Sequence, residues 1–375
     1  MLTEPLYPII IFHMKMLPDG CADCVPAPSS LKHQSERRDV MKACIITGHP
    51  AWPDGLNETT RQMWETCLAE MPQIDSYEIY NVYGRNPKNL EELIGDADVC
   101  VGHFTGPNIN ETFLSAHPHL KYISTLSMGY GEFDREAARA HGVTLTNTLY
   151  GAQTIAQYSM ALLMDICHNI SYNASLIRGK SFDTPAAFQE NVIAKTSRQI
   201  ELYGKTMGII GIGNVGLWVA KMASGFGMKV IGTSRRHKEG PGYECIEQVS
   251  LDELLARSDV ISLNCSENAS SHGMINRETI SKMKDGVILI NDARGGLIVE
   301  EDLIDALNSG KVYAAGLDAT AYDNGHHATP LMDCDNARIT AHIAWFPMEA
   351  RLRDIEIAAL NLKNYLEGHP TSVIL

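Results

Sequence analysis

The sequence predicts an α/β protein with two doubly wound parallel-sheet domains. Two series of short apolar strands alternate with helical segments, one within residues 41–150 and one from residue 206 onward. Alternation of this kind places helices on both faces of a mostly parallel sheet. The length agrees, because 375 residues make two domains at roughly 100–200 residues each.

The first 40 residues differ in composition from the rest. Pro18, Pro26 and Pro28 interrupt them, so we expect residues 1–40 to form a poorly ordered N-terminal extension. Cys21 and Cys24 have the spacing of a redox or metal pair. A second Cys or His pair at zinc spacing does not follow nearby, so no metal site is predicted.

The first alternating series begins after this extension. Its strands are predicted at residues 42–47, 97–102, 120–126 and 143–146, and its helices at residues 110–116 and 133–141. The apolar runs have the length of strands. The polar–apolar spacing of the segments between them fits helices. A longer helical stretch covers residues 153–169 and separates this series from the next.

The second series is longer and more regular. Its strands are predicted at residues 207–212, 229–233, 260–264, 287–291, 312–318 and 338–341. Its helices begin near Val215, Ser250, Arg277 and Glu300, and a last helix covers residues 346–367. Ser250 followed by Glu253 fits a capping box at one of these starts.

Charge and composition exclude several classes of partner. A net charge of −14 and a pI near 5.4 argue against nucleic acid or an anionic membrane. The sequence has no apolar run near the ~20 residues of a membrane span. The short apolar run at residues 9–12 follows Glu4 and makes a poor signal peptide. Nine scattered Cys residues suggest reduced thiols, so a cytoplasmic location is expected.

The turn Gly211-Ile212-Gly213-Asn214-Val215-Gly216 has the spacing of a dinucleotide-binding loop. An apolar strand leads into it and an apolar helical segment follows. Gly211 permits the tight turn, Gly213 leaves room for a pyrophosphate, and Gly216 lets helix and strand pack closely. The helix N-terminus offers free N–H groups to the phosphates. The turn therefore predicts a Rossmann domain and a nicotinamide-dependent oxidoreductase.

The end of the next strand indicates which nicotinamide cofactor is preferred. Ser234, Arg235 and Arg236 stand where NAD-preferring sites place a carboxylate for the ribose 2′-hydroxyl. A hydroxyl and two guanidiniums suit a 2′-phosphate instead. We predict NADP(H) as the preferred cofactor, with NAD(H) possible. The alternative is that the two arginines are solvated surface residues.

Three ordered motifs in the second half resemble those of the D-isomer-specific 2-hydroxyacid dehydrogenases. They are NDARGGL at residues 291–297, AGLD at residues 315–318 and TAHIAW at residues 340–345. The sequence is most similar to the glycerate dehydrogenase/hydroxypyruvate (glyoxylate) reductase branch. The EGHP ending at residues 367–370 and the loop at residues 124–129 also resemble that branch.

The resemblance implies NAD(P)H-dependent reduction of a small 2-oxo acid to the D-2-hydroxy acid. Arg294 suits the substrate carboxylate and carbonyl oxygen, because its planar fork binds two oxygens and stays charged. His342 suits proton transfer, because its pKa lies near working pH. Backbone N–H groups near Met128 and Gly129 would hold the substrate carboxylate.

In one position the sequence departs from the family pattern. The family places a Glu five residues after the Asp of Gly-Leu-Asp, whereas this chain has Asp323 there. Asp323 is the best candidate for the acid that orients His342, and Asp333 and Asp335 are weaker candidates. The adjacent residues 326 and 327 are both His, but the family's chemistry uses no metal and none is expected.

The resemblance also implies further cofactor contacts. Asn214 and Val215 would lie on the pyrophosphate, and Ser266 would follow its strand at the site. Asp292, through its backbone, Asp318 and the catalytic His342 would lie near the nicotinamide.

In this family the nucleotide-binding domain is inserted in a flavodoxin-like substrate domain. The resemblance therefore predicts a substrate domain of residues 41–150 and 347–375 and a Rossmann domain of residues 151–346. A homodimer is usual in the family. Two alternatives stay open: hydride abstraction of the formate dehydrogenase kind, and a nucleotide-sensing scaffold of the corepressor kind with little turnover.

Overall fold

Five parallel strands form the first sheet, in the order β2-β1-β3-β4-β5. The computed structural model describes residues 40–47, 56–82, 90–104, 109–130, 133–320 and 329–374. The strands are β1 (Met41–Thr47), β2 (Ile74–Asn81), β3 (Val99–Gly102), β4 (Tyr122–Thr125) and β5 (Thr144–Asn147). This order is that of flavodoxin-like sheets.

Helices cover both faces of the first sheet. They are α1 (Leu56–Ala69), α2 (Leu90–Ile94), α3 (Glu111–Ala116), α4 (Arg135–Ala140) and, from the C-terminal part of the chain, α12 (Met348–Leu366). Ala43 and Ile45 of β1 pack with α1 and α12 on one face. Cys44 and Ile46 pack with α2, α3 and α4 on the other. The strictly alternating side chains of a strand produce this division.

A seven-stranded parallel sheet forms the second unit, in the order β12-β11-β10-β9-β6-β7-β8. Its strands are β6 (Thr206–Ile210), β7 (Lys229–Thr233), β8 (Glu247–Gln248), β9 (Val260–Leu263), β10 (Val287–Asn291), β11 (Val312–Leu317) and β12 (Ala337–Ile339). Read from β8, this is the Rossmann order with a further strand at the end. The order in which the chain adds strands reverses between β6 and β9, and folds of this kind bind ligands at that point.

The helices of the second unit are α5 (Ala152–His168), α6 (Ile170–Ser175), α7 (Pro185–Asn191), α8 (Asn214–Gly225), α9 (Leu251–Arg257), α10 (Arg277–Ser281) and α11 (Glu300–Ser309). Short 3₁₀ turns occupy Ile193–Lys195, Gly295–Leu297 and Pro330–Asp333. Helices α5 and α8 bury one face of the sheet. Helices α9, α10 and α11 bury the other.

The chain passes from the first sheet to the second and returns. Helix α5 packs on the second sheet, whereas α12 packs on the first. Asn361 of α12 donates a hydrogen bond to the Asn147 carbonyl at 3.0 Å. Both sheets belong to one compact unit, residues 38–375. The domain limits at residues 150 and 346 stay predictions, and the extension of residues 1–40 lies outside the described residues except for Val40.

The predicted fold class is confirmed, and most predicted elements occur within a few residues of their expected limits. Ser250 caps α9 by accepting from the Glu253 N–H at 3.2 Å. Strand β2 was not predicted, because it lies at the sheet edge and buries Ile79 alone among its residues. Within the described ranges, none of the helices has the length and apolar character of a membrane span.

Candidate active site

The glycine turn joins β6 to α8, as the sequence predicts. Gly211 has φ +98°, and a Cβ there would lie 2.7 Å from both the Asn264 carbonyl carbon and the Cys265 nitrogen. A Cβ on Gly216 would collide with the Gly211 carbonyl oxygen. A Cβ on Gly213 would meet nothing within 4 Å. The open space lies at the start of α8, where N–H groups lack helical partners, so the turn fits a pyrophosphate.

The end of β7 presents two cations beside this turn. Arg235 and Arg236 are exposed. Neither forms an ion pair with any carboxylate that the structure describes. Ser234 donates its hydroxyl proton to the Arg236 carbonyl at 2.5 Å, which shapes the turn that carries both guanidiniums. Ser266 is also exposed, and its carbonyl accepts from the Ser271 hydroxyl at 2.8 Å.

Arg294 extends from the second sheet to the loop at residues 124–129 of the first sheet, which is the predicted substrate loop. Asn291 at the end of β10 fixes the turn by donating to the Arg294 carbonyl at 2.9 Å. The guanidinium donates to the Ala293 carbonyl at 2.7 Å. It lies so close to Gly129 that a Cβ there would collide with it. The structure therefore brings together two of the predicted substrate-binding residues from different sheets.

The substrate loop itself is held from within the first unit. The Gly129 N–H donates to the Ser127 hydroxyl at 3.1 Å. Asn147 donates to the Met128 carbonyl at 2.9 Å. A Cβ on Gly151 would lie only 3.1 Å from the Met128 sulfur. Gly151 therefore leaves room for the loop to pack at the start of α5.

His342 lies in the loop after β12 with a left-handed backbone, φ +54°. This conformation is costly for a residue with a side chain, and it persists only where neighbours hold it. The buried carboxylate of Asp318 does so by accepting from the Thr340 hydroxyl at 2.6 Å, the Ile343 N–H at 2.9 Å and the Ala344 N–H at 2.7 Å. Asp318 thus clamps the loop on both sides of His342, and its expected contact with the nicotinamide stays a prediction.

A second contact holds the same loop through the His342 carbonyl. The Trp345 indole donates to the His342 carbonyl at 2.6 Å. The Trp345 ring lies 4.6 Å from the Arg351 guanidinium carbon, which also lies 4.0 Å from the Tyr150 ring centroid. Such cation–π contacts gain strength where the cation is desolvated. This stack, which joins three separate segments of the chain, was not predicted from the sequence.

Arg351 is itself buried and paired with Asp354 at 3.0 Å, one turn away on α12. Burial lowers the pKa of Arg351 and raises the pKa of Asp354, because both charged forms lose water. The spacing of three residues on a helix is the signal in the sequence that could have found this pair.

Asp292 lies buried between the sheet and α5. Ser159 of α5 donates to its carboxylate at 2.5 Å. Burial, together with the nearby negative charge of Asp318, raises the pKa of Asp292 to about 7, although the Ser159 hydrogen bond opposes this rise. A carboxyl group with this pKa is partly protonated at neutral pH. The sequence predicted a backbone role for Asp292, and the titrating side chain was missed.

Asp323, the expected partner of His342, lies outside the described residues, as do residues 326 and 327. Of the weaker candidates, Asp333 ends a 3₁₀ turn. The Asp335 carbonyl accepts from Arg338 at 2.7 Å. Among the described ranges, no group of three or more His, Cys, Asp or Glu residues could hold a metal ion.

Comparison with known proteins identifies the family. The family model for the NAD-binding domain of D-isomer-specific 2-hydroxyacid dehydrogenases matches residues 160–344. A hydroxypyruvate reductase from Blautia hydrogenotrophica is 40% identical over 341 residues, which are 89% of this chain and 99% of the relative. The chain belongs to the D-isomer-specific 2-hydroxyacid dehydrogenase family. It is therefore an oxidoreductase with an NAD-binding domain.

Solved structures agree with this assignment to the D-2-hydroxyacid dehydrogenases. A glyoxylate reductase from Paecilomyes thermophila is 28% identical with a TM-score of 0.73, covering 89% of this chain and 98% of that one. An acyclic imino acid reductase in complex with NADPH and D-Arg is 27% identical with a TM-score of 0.72, covering 89% of this chain and 100% of that one. The resemblance inferred from the three motifs is confirmed.

Proposed function

We propose that the protein reduces hydroxypyruvate or glyoxylate to the D-2-hydroxy acid with NADPH. The observation that carries the proposal is the approach of the Arg294 guanidinium to Gly129. It joins a permanent cation from the cofactor-binding sheet to the substrate loop of the other sheet. The 40% identity with a hydroxypyruvate reductase supports the choice of substrate.

In the proposed reaction Arg294 binds the substrate carboxylate and polarises the carbonyl oxygen. The imidazolium of His342 donates a proton to that oxygen as the C2 carbon is reduced, and the neutral imidazole then recovers a proton from solvent. A bound reduced nicotinamide supplies the hydride to C2. Asp323 is the proposed acid that orients His342 and favours its charged form. The N–H groups of Met128 and Gly129 are proposed to hold the carboxylate.

The proposed cofactor site follows the residues around the glycine turn. Gly211, Gly213 and Gly216 shape it, Asn214 and Val215 meet the pyrophosphate, and Ser266 flanks it. Ser234, Arg235 and Arg236 receive the 2′-phosphate. Exposed guanidiniums without a carboxylate partner among the described residues favour NADPH over NADH. Asp292 and Asp318 are proposed to flank the nicotinamide.

We further propose a homodimer. Exposed apolar side chains cluster along the segment of α6, α7 and the following 3₁₀ turn: Ile170, Tyr172, Ile177, Phe188 and Ile193. A concentration of exposed apolar side chains in one segment is the kind of surface that a partner subunit would cover. Sedimentation of the purified protein tests this, because a dimer is expected and a monomer at micromolar concentration would contradict it. The cytoplasmic location stays a prediction.

The activity is tested with a panel of 2-oxo acids, each assayed with NADPH and NADH in parallel. Loss of absorbance at the nicotinamide band with hydroxypyruvate is expected, with NADPH the better cofactor. Absence of turnover with every small 2-oxo acid would overturn the proposal. Arg294→Ala separates an enzyme from a nucleotide-sensing scaffold, because an enzyme loses turnover with this change whereas a scaffold keeps its partner binding. The relatives described above are named reductases, which favours the enzyme.

A further inference from the structure

His103 lies directly after β3, at the carboxyl end of the strands of the first sheet, where the predicted substrate loop also lies. Hydrogen bonds fix its backbone on both sides. The Leu126 N–H donates to the Gly102 carbonyl at 2.8 Å. The Thr125 hydroxyl donates to the Phe104 carbonyl at 3.0 Å. Because the same loop continues to the glycine that faces Arg294, His103 has a fixed place beside that loop.

The imidazole of His103 contacts the ring of Trp345, with 5.7 Å between ring centroids and an interplanar angle of 39°. Trp345 is anchored by its hydrogen bond to the His342 carbonyl and by the guanidinium of Arg351. His103 is half-buried at this contact. The two rings therefore lie side by side next to the backbone of His342, the proposed proton donor.

We propose that His103 selects 2-oxo acids that carry a hydroxyl group on C3. The inference rests on the proposed function, in which Arg294 takes the carboxylate and His342 faces the carbonyl oxygen. In the proposal the remaining substituent of C2 lies toward His103 and Trp345, because His103 flanks the loop that carries Gly129 and Trp345 bonds the His342 carbonyl. An imidazole can donate one hydrogen bond and accept another, which suits a hydroxyl. Hydroxypyruvate has that hydroxyl, whereas pyruvate has a methyl group and glyoxylate a hydrogen.

His103→Leu tests this, because leucine keeps bulk against Trp345 and removes hydrogen bonding. We expect kcat/KM for hydroxypyruvate to fall about 10- to 100-fold, since a site built to bond a hydroxyl discriminates by that means. The values for pyruvate and glyoxylate should change less than about 3-fold. The dissociation constant of NADPH, measured by fluorescence, should stay unchanged. His103→Asn should recover part of the preference.

His119→Leu is the matched control, because His119 is exposed and precedes β4, at the amino end of the strands and thus opposite to His103. It should leave all three substrates unaffected. An equal loss on the three substrates in His103→Leu, or no loss, would overturn the role of His103. Failure of the unmodified protein to reduce any of them would instead overturn the proposed function.

Discussion

At the residue scale, His342 has a left-handed backbone conformation that is costly for a residue with a side chain, and several neighbours hold it in place. Its positive φ is held by three hydrogen bonds to Asp318 and by the Trp345 indole. The motif predicts both His342 and Asp318 as functional residues. The clamp could not be predicted, because β11 and the loop after β12 meet only when the sheet forms.

Asp318→Asn should lower kcat about 10- to 100-fold, because an amide nitrogen would face a backbone N–H and release the loop. If Asp318 acts through His342, the same substitution in His342→Ala should cost less than about 3-fold. Steady-state kinetics of the four proteins measures this cycle. Additive losses would show that Asp318 acts independently of His342.

Asp292 should make the stability of the protein depend on pH. Its pKa rises from 3.8 to about 7 on folding, so the folded protein retains a proton that the unfolded chain releases. That contribution is complete below the unfolded pKa and is lost as pH rises through about 7. Asp292→Asn stays neutral and can still accept from Ser159. Between about pH 5 and about pH 8, its free energy of unfolding should fall by about 2–3 kcal/mol less than that of the parent.

Denaturant unfolding at the two pH values measures this difference. Asp285→Asn makes the same change at a side chain that is 92% exposed, and its pH dependence should match the parent. An identical pH dependence for Asp292→Asn and the parent would mean that Asp292 is already ionised at the lower pH.

At the scale of elements, the second sheet was easier to predict than the first. Its central strands are buried on both faces and have continuous apolar sequences, as in β10, where every residue is buried. Strand β2 has one buried residue, and the sequence before α1 carries no strong periodic pattern. The stack of Tyr150, Arg351 and Trp345 depends on tertiary packing that periodicity does not encode.

The exposed end of β7 should determine cofactor preference. Arg235→Ala combined with Arg236→Ala should raise KM for NADPH about 10- to 100-fold, because charge-assisted hydrogen bonds to the 2′-phosphate are lost. KM for NADH should change less than about 2-fold. Arg139→Ala, an exposed arginine on α4, should change neither value. Equal effects on both cofactors would show that the two arginines do not recognise the 2′-phosphate.

At the scale of the whole molecule, the two sheets supply different parts of the proposed site. The second unit supplies the glycine turn, Arg294 and His342, whereas the first supplies Gly129 and its loop. Their meeting was predicted from the family motifs and is seen where Arg294 reaches Gly129. The orienting acid is still a prediction, because Asp323 lies outside the described residues.

Gly129→Ala should separate substrate binding from cofactor binding. The added methyl group would collide with the Arg294 guanidinium, which can move away because it ends a flexible side chain. KM for hydroxypyruvate should rise at least about 10-fold, since the carboxylate loses its bidentate partner. NADPH titration followed by fluorescence should change less than about 2-fold. Gly225→Ala, where a Cβ meets open space, is the control. Unchanged KM in Gly129→Ala would contradict this arrangement.

The return of α12 to the first sheet has a consequence for synthesis on the ribosome. The strand β1 emerges early, yet one of its faces packs against Ile355, Ala358 and Leu362 of α12, about 300 residues later in the chain. The second sheet has helices for both faces within its own stretch of chain. In the nascent chain, the second sheet and its helices should therefore fold first. The earliest strands should wait, with apolar surface available to chaperones, until α12 leaves the exit tunnel.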